Sequence, residues 1–330
     1  MTESNKSNNV FNRIANSIKI KLYYYKYKLK LIAFFIAFIV FFVVIINVNT
    51  FYIKYSCYKA GIEFFNANRY IDAVNKLALA GDYRDAKDKL KLASKSVFGQ
   101  LDDCLKQIDI EMVICPAGSY VETKKDNNFK EIQHTVIISS PFAIGKYEIT
   151  QGQYVSIMGK NIANKTDLLK PLNCVTWNDA KEFCEKLNKM FGDKLPENYK
   201  FDLPTDSQWE YACRSGKNSK FYEGPTEGNL NDIAWFSNNS EGISIVGQKK
   251  ANAWGIYDMY GNVWEWCNNS SEKCLMKVKN PIKAHADGSC RILCGGSYTD
   301  EYISFDKNRY CAIPTSRLID VGFRLAFVPK

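Results

Sequence analysis

Fifteen residues, Asn252 to Trp266 (NAWGIYDMYGNVWEW), constrain the fold of this chain more than any other stretch. They hold two glycines, three tryptophans, two tyrosines, an aspartate and a glutamate. Apolar residues recur here neither at helical spacing nor in strict alternation, so the segment suits neither an ordinary helix nor a half-buried strand. Gly255 and Gly261 open backbone conformations closed to other residues. Asp258, Asn262 and Glu265 set hard oxygen ligands between large aromatic anchors. Two readings follow: a well-packed core turn, or a turn whose oxygens hold a cation.

The 330 residues suffice for one domain of about 200 plus accessory segments. Aromatics make up 14%, which argues for a globular body rather than a disordered one. The formal charge is +9, but residues 1–30 carry seven Lys/Arg against one Glu, so +6 belongs to that end. The remaining +3 gives no case for nucleic-acid binding. Residues 31–53 contain no charge, and LIAFFIAFIVFFVVII at their centre is wholly apolar. Twenty-three helical residues span roughly 34 Å, enough for a bilayer core. A cleaved signal peptide expects a shorter apolar core and small residues at a cut site, and neither is present. The expectation is a basic cytoplasmic tail over 1–30 and a single transmembrane helix over 31–53, with Tyr23–Tyr25 and Tyr27 at the interface. The positive residues before the span place the N-terminus in the cytoplasm and the C-terminal domain outside it.

Residues 54–105 read as a helical stalk resembling one tetratricopeptide-type pair. YIDAVNKL (70–77) recurs as YRDAKDKL (83–90), and Gly61, Phe64, Ala73, Leu77 and Ala80 fall at the offsets of such a pair. Small residues let two helices approach. A single unit cannot bury its own face, which favours a stalk or docking hairpin over a peptide-binding groove. From about 110 to 330 the pattern changes. MVICPAGSYVE and HTVIISSPFAIGKYEIT read as strands punctuated by Pro and Gly. TWNDAKEFCEKLNKMF (176–191) reads as a helix capped by Thr176 or Asn178, with Ala180, Phe183, Cys184, Leu187 and Phe191 on its apolar stripe. TDSQWEYACRSG (205–216) reads as a second helix, with Thr205 and Gln208 in capping-box positions and Gly216 as its stop.

GIYDMYGNVWEW also resembles the signature of the formylglycine-generating enzyme (sulfatase-modifying factor) family. Further blocks match in order: HTVIISSPFAIGKYEITQGQY, PLNCVTWNDAKEFCEKLN, LPTDSQWEYACRSG, AWFSNNS, CGGSY and VGFRLA. Together they cover roughly 110–330. The resemblance implies an α+β, loop-rich fold, distantly like C-type lectins. It also implies a structural calcium ion held by the side chains of Asp258 and Glu265 and the carbonyls of Gly261 and Val263. A second such site falls near Asp232 and Asn238. It implies a disulfide between Cys213 and Cys311. A second family disulfide is broken here, because Cys184 matches one end and Leu325 the other.

The family's oxidase uses two cysteines just after the GGS motif to bind copper, and soft thiolates are what Cu(I) requires. Here GGSYTDEYISFDKNRYCA places Asp300 and Phe305 at those positions, so copper is not expected. Some relatives use iron held by histidines. This chain has only His134 and His285, which nothing in the spacing brings together. Eleven cysteines leave at least one thiol free or intermolecular; Cys57 and Cys104 are the candidates in the stalk. Cys267, Cys274, Cys290 and Cys294 suit one or two local disulfides better than a zinc site.

The first functional expectation is a membrane-anchored, extracytoplasmic, non-catalytic binding or scaffold module for a protein, peptide or glycan. The alternative is an active oxidoreductase of the same superfamily using a different site. A third reading recruits partners through residues 56–98. Trp264, Ser297, Asp300 and Arg309, beside the GGSY loop, are the candidate ligand-binding residues; an aromatic face and a cation are common at binding hot spots.

Overall fold

The computed structural model describes Lys28, residues 34, 35, 38 and 39, and residues 41–125, 131–160, 167–217, 230–270, 290–301 and 309–330. The chain divides into two compact units, Met1–Cys57 and Tyr58–Lys330.

In the first unit, residues 34, 35, 38, 39 and 41–57 are helical. Phe41, Phe42, Val43, Val44, Ile45 and Ile46 are all exposed. Among the described residues no helix is long and apolar enough to cross a membrane. Residues 31–33, 36, 37 and 40 of the expected span lie outside the described residues, as do Tyr23–Tyr25 and Tyr27.

The second unit opens with helical residues 58–66 (α1), followed by α2 (Tyr70–Ala80), α3 (Ala86–Phe98) and α4 (Leu101–Lys106). Gly61 of α1 lies so close to α2 that a Cβ there would meet Leu77 Cγ at 2.7 Å. Ala73, Val74, Leu77 and Ala80 of α2, and Ala86, Ala93 and Phe98 of α3, are buried. The sequence repeat is not a structural repeat. Tyr70 is the first residue of α2, whereas Tyr83 lies in the turn before α3, where Arg84 takes a positive φ of 50°.

These helices do not stand off as a separate stalk. Phe98 packs edge-on against Tyr199 and Phe327, with ring centroids 5.1 and 6.1 Å apart. Asn75 Oδ1 accepts from the Ala117 N–H at 2.8 Å, and the Gln100 N–H donates to the Lys194 carbonyl at 3.3 Å. Residues 58–330 form one compact unit.

Three sheets follow. β1 (Met112–Cys115), β4 (Phe142–Gly145), β10 (Ala326–Pro329) and β5 (Tyr199–Asp202) form an antiparallel sheet in the order β1-β4-β10-β5. β2 (Gly118–Lys125) and β3 (Glu131–Ile138) form a hairpin. β8 (Arg309–Ala312), β7 (Arg291–Cys294), β6 (Trp264–Ser270) and β9 (Val321–Gly322) form the third sheet in that order, and only β6–β9 is parallel.

Helices α5 (Gln151–Met158), α6 (Trp177–Phe191) and α7 (Asp206–Cys213) each begin with a complete capping box: Thr150 with Gln153, Thr176 with Asp179, and Thr205 with Gln208. Each box satisfies two backbone donors that a helix start leaves open. A short helix, α8 (Leu230–Ile233), precedes the Asn252–Trp266 segment.

Candidate functional site

The Asn252–Trp266 segment is held by its own side chains. Asn252 Oδ1 accepts from the Trp254 and Ile256 N–H groups, both at 3.0 Å, while its Nδ2 donates to the Ala212 carbonyl at 2.8 Å. Asp258 and Asn262 both take positive φ, 54° and 62°. Gly261 bridges to Trp235, and the Asn262 N–H donates to the Trp235 carbonyl at 2.9 Å. The turn then enters β6, where Trp266 Nε1 reaches the Val175 carbonyl at 2.9 Å.

Beneath this turn lie three buried carboxylates and one guanidinium. Glu265 accepts from Trp209 Nε1 at 2.7 Å and from Arg324 Nη2 at 2.7 Å and Nε at 3.0 Å. Arg324 also donates to the Gly145 and Tyr257 carbonyls, both at 2.9 Å. Burial opposes the charge of Arg324, but Glu265 outweighs it and keeps the pKa high. Glu148 accepts from Asn262 Nδ2 at 2.8 Å and the Val263 N–H at 3.3 Å. Burial, with Asp258 and Glu265 nearby, pushes its carboxyl well above the usual range. Asp258 Oδ2 accepts from the Gly247 N–H at 2.6 Å, whereas its Oδ1 is buried with no partner. Burial pushes that carboxyl up to about 6.

Of the implied calcium set, Glu265 is engaged by Arg324 and Trp209, while Asp258 keeps a buried Oδ1 without a partner. A calcium shell takes six to eight oxygens, and both oxygens of Glu265 are already occupied by Arg324 and Trp209. Arg324 supplies the positive charge that an ion would bring. Among the described residues no group of three or more His, Cys, Asp or Glu is arranged to hold a metal ion. Asp232 pairs instead with Lys250 at 2.7 Å, and Asn238 is exposed.

Of the four candidate ligand-binding residues, three come together. The Ser297 N–H donates to Asp300 Oδ2 at 2.7 Å, and Ser297 Oγ lies 3.1 Å from Asp320 Oδ2. The Trp264 backbone N–H donates to the Asp320 carbonyl at 2.8 Å, and burial raises the Asp300 pKa. Trp264 stacks edge-on against Tyr310 at 4.5 Å. Arg309 is elsewhere. Successive strand residues face opposite sides, so Arg309 turns from Tyr310 towards Glu122 and, at 3.4 Å, Asp206. Phe305, the other position matched to a family cysteine, lies outside the described residues.

The cysteine expectations need correction. Cys213 is a free thiol, buried at the end of α7 within the core, and Cys311 is disulfide-bonded. The pair Cys213–Cys311 therefore does not form. Cys267, Cys290 and Cys294 are also free thiols, while Cys274 lies outside the described residues. Cys57 and Cys104 are free thiols too, Cys104 buried and Cys57 half-buried. Cys184 is a buried thiol and Leu325 is buried too. His134 pairs across the β2–β3 hairpin with Glu122 at 2.9 Å, and His285 lies outside the described residues.

Two features escape sequence reading. Arg324 and Glu148 hold the charge cluster; the signal was a lone arginine inside the apolar run VGFRLAFV, since a buried cation needs a carboxylate. The approach of Cys267 to Cys294, with sulfurs 3.6 Å apart, depends on strand register and left no signal.

Comparison with known proteins places this geometry. Chaperone protein LppX of Paenibacillus barcinonensis is 29% identical over 204 residues, covering 48% of this chain and 70% of LppX. Formylglycine-generating enzyme of Mus musculus is 28% identical over 176 residues, 47% of this chain and 44% of the enzyme. Inactive C-alpha-formylglycine-generating enzyme 2 of Bos taurus is 29% identical over 187 residues, 51% of this chain and 53% of that protein. The chain thus spans about half the length of the latter two. Among solved structures, Treponema denticola variable protein 1 is similar with a TM-score of 0.53 and 27% identity, over 66% of this chain and 94% of that one. The model of the sulfatase-modifying factor enzyme 1-like domain matches residues 102–328, most of the chain, so this protein belongs to the sulfatase-modifying factor family.

Proposed function

We propose that this chain is a non-catalytic, extracytoplasmic binding or scaffold member of the family, anchored in a membrane through residues 31–53. One observation carries the reading. The positions matched to the copper-binding cysteines hold Asp300 and Phe305, and a carboxylate and a phenyl ring cannot perform Cu(I)-thiolate chemistry. Asp300 is committed to its loop, accepting from the Ser297 N–H. The names of two relatives, one a chaperone protein and one an inactive enzyme, agree with a binding role and favour a protein or peptide over a glycan. Asp300 and Tyr310 are the half-buried members of the candidate contact region, while Trp264 and Ser297 are buried. The anchor rests on the uncharged stretch 31–53 and on the exposure of its described apolar residues.

The test is to incubate the purified chain with copper, oxygen, a reductant and a Cys-x-Pro-x-Arg peptide and follow the peptide mass. An unchanged mass, with the fold intact, is the expected result. Conversion of the cysteine to formylglycine would overturn the binding reading. The anchor is tested separately by alkaline carbonate extraction of membranes, which is expected to leave the chain in the pellet. The alternative, an oxidoreductase using another site, is favoured by one feature, the close pair of thiols on β6 and β7.

A further inference from the structure

β6, β7 and β8 align one row of side chains. Glu265 is the cross-strand partner of Cys294, and Cys294 is the partner of Arg309. Partners in register point to the same face, and Cys267, two residues beyond Glu265, shares that face. The two sulfurs lie 3.6 Å apart and both residues are fully buried. Arg309 pairs with the carboxylates of Glu122 and Asp206, and its Nη2 is buried without a hydrogen-bond partner. Cys115 and Cys184 are buried thiols as well, and the Cys115 thiol donates to the Val113 carbonyl at 3.9 Å.

We propose that Cys267 and Cys294 are a peroxide-reactive thiol pair, with Cys294, beside the Arg309 guanidinium, as the sulfur that reacts first and Cys267 as the one that resolves it. The inference stands whether or not the chain is a binding module. In the first step the Cys294 sulfur attacks one oxygen of hydrogen peroxide. The O–O bond breaks, and the departing hydroxide takes the thiol proton to leave as water, giving a sulfenic acid on Cys294. In the second step the Cys267 sulfur attacks the Cys294 sulfur. The S–O bond breaks, hydroxide takes the Cys267 proton, and a disulfide and a second water result. Two thiols are oxidised and one peroxide is reduced to two waters. Closing the bond requires the sulfurs to approach from 3.6 Å to about 2.05 Å. Arg309, the cross-strand partner of Cys294, acts as a positioning residue that brings a cation to the strand beside the sulfur taken to react first.

The full chain, purified without reductant, is treated with one equivalent of hydrogen peroxide, alkylated in denaturant and mapped by mass spectrometry. A linked Cys267–Cys294 peptide is expected, with Cys115 and Cys184 remaining alkylatable. Cys267→Ser is expected to stop at a dimedone-reactive sulfenic acid on Cys294, and Cys294→Ser to leave Cys267 unoxidised. Arg309→Met is expected to slow Cys294 oxidation about tenfold, with Arg309→Lys recovering most of the rate. Cys294 no more reactive than Cys115, or a link from Cys294 to Cys213, overturns the assignment.

Discussion

At the scale of single residues, Gly261 is the position least able to change. A Cβ there would sit 1.9 Å from the Trp235 carbonyl oxygen, and φ is +82°. Gly255 has nearly the same φ, +81°, but nothing within 4 Å. Conformational strain alone costs about 1–2 kcal/mol, so Gly255→Ala is expected to lose about that much in urea denaturation. Gly261→Ala, which adds a backbone collision to the strain, is expected to fold poorly or not at all; equal losses at the two positions would show that the collision is relieved. Arg324 is the second such residue. Arg324→Met leaves Glu265 buried without its cation, which costs roughly 3–5 kcal/mol. The double variant with Glu265→Gln is expected to recover part of that loss. Because Arg324 already neutralises Glu265, millimolar calcium is expected to move the melting temperature of the native chain by less than about 2 °C, within which a ligand effect is negligible; a larger rise would place an ion at the unpaired oxygen of Asp258.

At the scale of elements, the helix starts were the most legible features, because a capping box is written within four residues. Thr205 with Gln208 stood in the sequence as they stand in the fold, and of the two caps offered for α6, Thr176 rather than Asn178 forms it, boxed with Asp179. Thr150 with Gln153 carried the same signal and α5 went unread, hidden inside a block taken for strands. The charge cluster and the thiol pair were not legible, since both depend on which strands lie side by side. Sequence periodicity fixes the face of a strand but not its neighbour. The seam between α6, β5 and β6 offers a test of element packing. Lys181 of α6 and Lys200 of β5 both pair with Asp202, and Lys181 also reaches Asn268 of β6 at 3.2 Å. Burial alone would raise the Asp202 carboxyl, but the two lysines outweigh it and hold it below its ordinary value of 3.8. A carboxyl depressed in the folded state stabilises above its unfolded pKa and loses that contribution as pH falls through the folded one. Asp202→Asn is therefore expected to lose about 1–3 kcal/mol near neutrality. The gap to the native chain should close below about pH 4, read from urea midpoints across pH.

At the scale of the whole molecule, α1–α4 belong to the body that carries the site. Phe98 is anchored between Tyr199 of β5 and Phe327 of β10, so Phe98→Ala is expected to cost about 3–5 kcal/mol. A chain starting at Glu111 is expected to be less soluble and to melt lower than one starting at Tyr58, because it leaves that aromatic socket open. Equal melting temperatures would restore the picture of a detachable stalk. The seven sequence blocks outlined the domain from about 110 onwards; the family match begins at residue 102 and the compact unit at Tyr58. The strand order β1-β4-β10-β5 has a consequence for synthesis. β4 and β5 are finished by residue 202, yet the strand that joins them begins only at residue 326. A ribosome delivers the chain from its N-terminal end, so the first sheet stays split for most of translation. Until β10 arrives the nascent chain has no closed body to resist threading through a narrow channel, and a fragment halted before residue 326 is left with two unpaired strand edges for proteases to find.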